Sequence, residues 1–240
     1  MPKIVPHLWF DTQAVEAART NTRIFSDAEV LSIGVLEGTP GQDSQTVSFK
    51  LAGQSFAAIN GGPHFRLNPS ISLMVICKTK EDVDAKWDVL SQGGIPLMPL
   101  GEYPFSPWYG WIQDQYGLTW QLLLAEEETR QQQIIPNLLF SNDVCGQAEE
   151  AVEYYVSIFP RSELKVVSRY GPGEGQVDQA KVNFAAFSLA GMEFTAMDNA
   201  TGGDFSFNEA FSFIVHCSSQ EEIDYYWNTL SAVPEAEQCG

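Results

Sequence analysis

The chain has 240 residues, of which 44% are hydrophobic and 18% charged, too apolar for a disordered polymer and enough for one large domain or two small ones. Acidic residues outnumber basic ones 31 to 13, giving a net charge of −18 and a pI near 4.3. That sign is wrong for neutralising phosphates, so nucleic acid and anionic membrane surfaces are set aside as partners.

In chain order, KIVPHLWF (3–10) is an apolar strand, TQAVEAARTNTRIF (12–25) has helical spacing through Val15, Ala18 and Phe25, and EVLSIGVLE (29–37) alternates as a strand does. VSFKLAGQSFAAIN (47–60) gives two strands around an Ala52-Gly53 turn, and SISLMVIC (70–77) the next strand. KEDVDAKWDVLSQGG (80–94) is a helix running into Gly93-Gly94, and WYGWIQDQYGLTWQLLL (108–124) is a closing hairpin that turns near Tyr116-Gly117. Together these make two βαβββ units.

The same order then recurs. FRLNPSISLMVIC (65–77) and FSFNEAFSFIVHC (205–217) share five identities in thirteen positions, and TKEDVDAKWDVLS (79–91) lines up with SQEEIDYYWNTLS (219–231), pairing Trp87 with Trp227. LAGQSFAAIN (51–60) matches LAGMEFTAMD (189–198), and PHLWF (6–10) matches PNLLF (136–140). The expected organisation is a first module at 1–125, a polar linker at 126–133 and a second module at 134–240. The charge is uneven between them: 8 basic and 12 acidic residues up to position 125, 5 and 19 beyond it.

No uninterrupted apolar run approaches the ~18 residues of a membrane span, and MPKIVPHLWFD lacks the pattern of a secretory signal, which points to a cytoplasmic protein. Cys77, Cys145, Cys217 and Cys239 form no CxxC pair; Cys77 and Cys217 sit in apolar strands and read as small buried hydrophobes. The loops 171–179 and 198–210 carry no phosphate-binding pattern.

The repeat, the element order and the strings PHLWFD, FAAINGG, SISLMV and GWIQDQYGLTWQL resemble the vicinal oxygen chelate superfamily, and within it the PhnB-like branch that carries the name 3-demethylubiquinone-9 3-methyltransferase. The resemblance implies an α+β fold in which tandem βαβββ modules form a curled mixed sheet with helices on the convex side and a cleft on the concave side. Alternation agrees: Leu73, Val75 and Cys77 fall on one face and Ser70, Ser72 and Met74 on the other. By the same rule Leu8 and Phe10 pack while His7 and Trp9 face the cleft, and Trp120 and Leu122 pack while Thr119 and Gln121 face it.

Metal-using members of that superfamily place His or Glu at four strand positions. Here those positions fall on His7, Phe56, Ser70 and Gln121, and in the second copy on Asn137, Phe194 and Ala210, too few strong donors for a divalent ion. The expected site is instead a ligand cleft formed by His7, Trp9, Phe56, Ser70, Trp111 and Gln121, with no metal and no cofactor. A cofactor site for methyl transfer is missing from the sequence: the GG of AINGGPHF opens no helix.

The leading expectation is therefore a small-molecule-binding protein. The alternative is a metal-dependent lyase, isomerase or dioxygenase that draws ligands from a neighbouring module or a second chain, and a third is an acidic protein-docking surface. A homodimer is considered beside the small-molecule partner. The helix of the first copy has Thr20-Asn21 where the second has Tyr154-Tyr155, so the copies have diverged, with one cleft functional and the other filled. The second copy, ending at PEAEQCG, lacks a counterpart to the closing hairpin, which leaves a sheet edge to be covered by truncated sequence, a partner chain or a swapped strand.

Overall fold

The computed structural model describes residues 2–38, 44–125 and 134–231, so the linker expected at 126–133 and everything after Ser231 lie outside the described residues. The first copy comprises β1 (Ile4–Phe10), α1 (Ala14–Asn21), β2 (Glu29–Leu36), β3 (Ser44–Leu51) and β4 (Gln54–Asn60), then β5 (Ile71–Cys77), α2 (Lys80–Leu90), β6 (Ile95–Tyr103), β7 (Ser106–Gln113) and β8 (Thr119–Leu124). The second has β9 (Ile134–Phe140), α3 (Ala148–Ile158), β10 (Glu163–Arg169), β11 (Val182–Leu189) and β12 (Met192–Asp198), then β13 (Phe211–Val215) and α4 (Gln220–Leu230). This is the mixed α+β architecture expected. No described helix is long and apolar enough to cross a membrane.

Strand pairing crosses the copies. One sheet runs β13-β1-β4-β3-β2 and the other β10-β11-β12-β9-β5-β8-β7-β6. The first unit of copy one therefore pairs with the second unit of copy two, and the reverse holds in the long sheet. In register, His7 stands opposite Ser212 in β13, and Asn137 opposite Ser72 in β5. His7 and Asn137 are equivalent in the repeat, as are Ser72 and Ser212, so the two junctions match.

One face of each sheet packs under the helices. Leu8, Phe10, Phe49, Phe56 and Ala58 fill that side of the shorter sheet, and Leu73, Val75, Trp120, Leu122 and Phe187 that of the longer one, all in one continuous core. The β3–β4 turn forms at Ala52 (φ 46°) and Gly53 (φ 75°), two successive left-handed residues of the kind tight hairpins need. α1 stops at Asn21, short of the Phe25 expected to share it, because Thr20, Asn21 and Thr22 are weak helix formers. Phe25 still reaches the core from the following turn, its ring 5.7 Å from that of Trp120.

Helix starts are tied to strand ends. Asn60 Oδ1 accepts the Ala14 N–H at 2.7 Å, and the equivalent Asp198 accepts four backbone N–H groups: Gly146 and Ala148 through Oδ1, Lys181 and Val182 through Oδ2. α2 and α4 are capped by Thr79 and Ser219, whose hydroxyls accept from Asp82 and Glu222. Cys77 is buried, which pushes its thiol up to about 12 and leaves it inert, while Cys217 is half-buried.

Candidate functional site

The six residues expected in one cleft are divided between the two sheets. His7 and Trp9 lie on the inner face of the shorter sheet, as alternation predicts, with Ala57 and Ser212 beside His7 in register. Gln121 and Trp111 are cross-strand partners on the inner face of the longer sheet. Ser70, buried, immediately precedes β5 there. Phe56 joins neither group. It is 1% exposed, shares the helix side with Ala58 and stacks on Phe49 at 5.5 Å. Its neighbours Ser55 and Ala57 hold the inner-face positions, and a one-residue ambiguity in a strand swaps core for cleft.

Beside His7 is a cavity of about 470 Å³ with apolar walls from Trp9, Phe207 and Phe211 and polar groups from Ser212, Asn208 and Glu209. The His7 imidazole is half-buried, its Nδ1 lying 3.2 Å from Ser212 Oγ, and burial lowers its pKa, which keeps the ring neutral near pH 7. Its second ring nitrogen has no protein partner among the described residues. The Trp9 indole donates to the Gly62 carbonyl at 2.8 Å and meets Phe65 edge-on at 5.2 Å. Gly61 permits this: a Cβ there would overlap the Trp9 ring. Asn208 is held by a bond from its Nδ2 to the Arg66 carbonyl (2.9 Å) and accepts the Ala210 N–H.

Trp9 also borders a second cavity of about 430 Å³, between the end of β1 and the β7–β8 turn, whose walls include Phe65, Leu67, Asp114 and Tyr116. Asp114 organises that turn. It is buried, accepts from the Tyr116 and Leu118 N–H groups and from the Trp120 indole at 2.9 Å, and burial pushes its carboxyl up to about 6 against those bonds.

The inner face of the longer sheet is closed by contrast. Ser72, Thr119 and Asn137 are 0% exposed and Gln121 5%. Gln121 donates to Ser72 Oγ (2.6 Å) and accepts from the Tyr109 hydroxyl (2.8 Å), while Thr195 donates to Asn137 Oδ1 (2.9 Å). Tyr109 is itself covered by the rings of Tyr103 and Phe105. Two buried donors on this face, Asn137 Nδ2 and Trp111 Nε1, have no partner among the described residues. Alternation places Ser72 on this face and the alignment of PNLLF with PHLWF leads to Asn137, whereas Thr195 and Tyr109 are not among the sequence's candidates.

The donor set can be tested against a divalent ion. Around His7 the neighbours are a serine, an alanine and the exposed Glu209, and around Gln121 they are hydroxyls and amides. No group of three or more His, Cys, Asp or Glu residues is placed to hold a metal among the described residues. These side chains do not fit the three or four strong donors that such an ion takes.

A family model described as 3-demethylubiquinone-9 3-methyltransferase matches residues 2–123 and 132–240. Among solved structures, a PhnB protein from Bacillus cereus described with that same activity is 41% identical over 51% of this chain and 99% of its own, with a TM-score of 0.48. Glyoxalase I from Zea mays shares 10% identity over 95% of this chain and 81% of its own at a TM-score of 0.57, a likeness of fold. A comparison with curated proteins gives no match.

Proposed function

The chain belongs to the 3-demethylubiquinone-9 3-methyltransferase family, a PhnB-like branch of the vicinal oxygen chelate superfamily, and from that premise we propose that it binds a small, partly apolar molecule beside His7. The observation that carries this is the open cleft of about 470 Å³ beside His7, lined by aromatic rings with a few convergent polar groups. Trp9, Phe207 and Phe211 would take the apolar body. The free nitrogen of a neutral His7, with Ser212, Asn208 and Glu209, would fix its polar end. A neutral imidazole can accept a proton as well as a hydrogen bond, so a proton-transfer role is chemically open to the same residue.

The longer sheet's inner face has the opposite character: it is closed, and Gln121, Ser72, Tyr109, Thr195 and the Asn137 carbonyl bond to one another, leaving only the Asn137 and Trp111 N–H donors over among the described residues. Of the two diverged clefts, the one at β1–β13 is the functional one in this account and the other is filled. The family's name does not carry over to methyl transfer. Gly61 and Gly62, just after β4, open no helix and lie against the Trp9 ring.

Calorimetric titration of phenol, benzyl alcohol and benzamide tests this. One-to-one binding to the wild type that weakens at least about tenfold, or ~1.4 kcal/mol, in His7→Ala and in Phe211→Ala is expected. Stoichiometric binding of zinc, nickel or manganese that disappears in His7→Ala would instead favour a metal-assisted lyase, isomerase or dioxygenase.

A further inference from the structure

The repeat supplies an internal control for the cleft beside His7, because the junction of β9 with β5 is built on equivalent residues. The two frames match bond for bond. Asn68 accepts the Ser70 N–H and donates to the Ser206 carbonyl, and its equivalent Asn208 accepts the Ala210 N–H and donates to the Arg66 carbonyl. The side chains set on those frames differ. Trp9, Phe207, Phe211 and Glu209 stand where the other junction has Leu139, Leu67, Ile71 and Pro69. Beside His7, three aromatic rings and a carboxylate thus replace three aliphatic side chains and an uncharged one.

That carboxylate has no protein cation to answer it. Glu209 is exposed where it lines the cleft, and it forms no ion pair with a described residue. No lysine or arginine among the described residues lines the cleft, and none follows Lys181 in the part of the chain that supplies Phe207, Glu209 and Phe211. The nearby basic side chains are engaged elsewhere: Lys3, just before β1, donates to Glu222 and to the His216 carbonyl, and Arg66 borders the cavity at the β7–β8 turn. Burial keeps the His7 ring neutral, so it adds no positive charge. The faces of indole and phenyl rings attract a cation, and an unanswered carboxylate adds a full negative charge beside them. An anionic ligand would meet Glu209 with nothing to offset it.

We propose that the His7 cleft selects a small apolar molecule carrying a protonated amine, whose ammonium pairs with Glu209 against the rings of Trp9, Phe207 and Phe211. This rests on the reading that the cleft binds a ligand, and it names the class. One ammonium N–H donates to the second ring nitrogen of His7, which has no protein partner among the described residues. That contact requires the tautomer in which the Nδ1–H donates to Ser212 Oγ, leaving the other nitrogen as an acceptor.

The test is calorimetry of the full chain at pH 7 and about 0.15 M salt, which screens the general field of an acidic protein. It compares benzylamine, a cation under these conditions, with benzyl alcohol, its neutral counterpart of nearly the same shape, and with benzoate. Benzylamine is expected to bind one-to-one at least about tenfold tighter than benzyl alcohol, and benzoate weaker than either. Glu209→Gln should bring benzylamine and benzyl alcohol within about threefold of each other, while Glu221→Gln, which removes an exposed carboxylate from α4, keeps the tenfold ratio. A wild-type preference below about tenfold, one that survives Glu209→Gln, one lost equally in both variants, or benzoate bound as tightly as benzyl alcohol overturns the inference. In each of those cases, one-to-one binding of benzyl alcohol that weakens in His7→Ala leaves the ligand reading standing. If benzyl alcohol does not bind, or binds His7→Ala as it binds the wild type, the reading fails and the inference with it.

Discussion

His7 stands opposite Ser212 across the β1–β13 junction, its Nδ1 3.2 Å from the serine hydroxyl, and the two residues come from different copies of the repeat. The equivalent pair, Asn137 opposite Ser72, joins the copies in the longer sheet. At the first junction the ring borders a cavity; at the second the amide is sealed within a hydrogen-bonded patch.

Ser212→Ala removes the partner of His7 Nδ1 without touching the cavity's aromatic walls. It should weaken binding of the phenol and benzamide probes by about 0.5–1.5 kcal/mol, the net worth of one hydrogen bond, while His7→Ala costs more. Calorimetry of both variants checks the order.

Gly61→Ala puts a methyl group where the Trp9 ring lies. Overpacking of this kind costs about 1–3 kcal/mol, and displacement of Trp9 from the Gly62 carbonyl should also weaken probe binding. Urea denaturation and the same titrations, run together, read the two effects.

Asp198→Ala leaves four backbone N–H groups without their acceptor, against one in Asn60→Ala. At about 1–3 kcal/mol per strong charged bond, with losses that are not additive, Asp198→Ala should destabilise the protein by several kcal/mol and Asn60→Ala by about 1. Equal losses in denaturant titrations would contradict the assigned role.

Gln121→Leu breaks the patch at Ser72 and Tyr109. A cost of about 1–3 kcal/mol in stability is expected from the stranded partners, with unchanged affinity for the probes, because the patch and the His7 cavity are on different sheets. A parallel loss of affinity in calorimetry would place the ligand in the longer sheet instead.

His7 and Asp114 give pH dependences of opposite sign. Burial lowers the His7 pKa, so the unfolded chain takes up a proton near 6.5 that the folded one resists, and stability falls as the pH drops below about 6.5. Asp114 titrates at about 6 when folded and at ~3.9 unfolded, so its contribution is fully present below about pH 4 and is lost as the pH rises through 6. Denaturation from pH 4 to 8 should show the acid-side loss shrinking in His7→Gln and the loss between pH 4 and 6.5 shrinking in Asp114→Asn.

Side-chain faces were legible in the sequence wherever alternation was unbroken. His7, Trp9 and Gln121 face inward, and Leu8, Leu73 and Trp120 pack, as period-two patterning requires. Phe56 was misplaced because QSFAAIN alternates weakly, with alanines on both faces, and a shift of one residue reverses them. Partner choice was less legible than face. Alternation says nothing about whether β1 pairs with β5 or β13, and the cross-copy pairing is what separates His7 from Gln121. The helix that stops at Asn21 shows the same limit: Phe25 is buried as its spacing requires, but from a turn.

The most direct measurement is an NMR titration of the full chain with phenol, following the indole N–H resonances of Trp9 and Trp111 and the side-chain amides of Gln121 and Asn137. A ligand beside His7 shifts the Trp9 indole saturably and leaves Trp111, Gln121 and Asn137 in place. Saturable shifts at Trp111 and Asn137, with Trp9 unmoved, would put the ligand on the two unpartnered donors of the longer sheet and contradict the account.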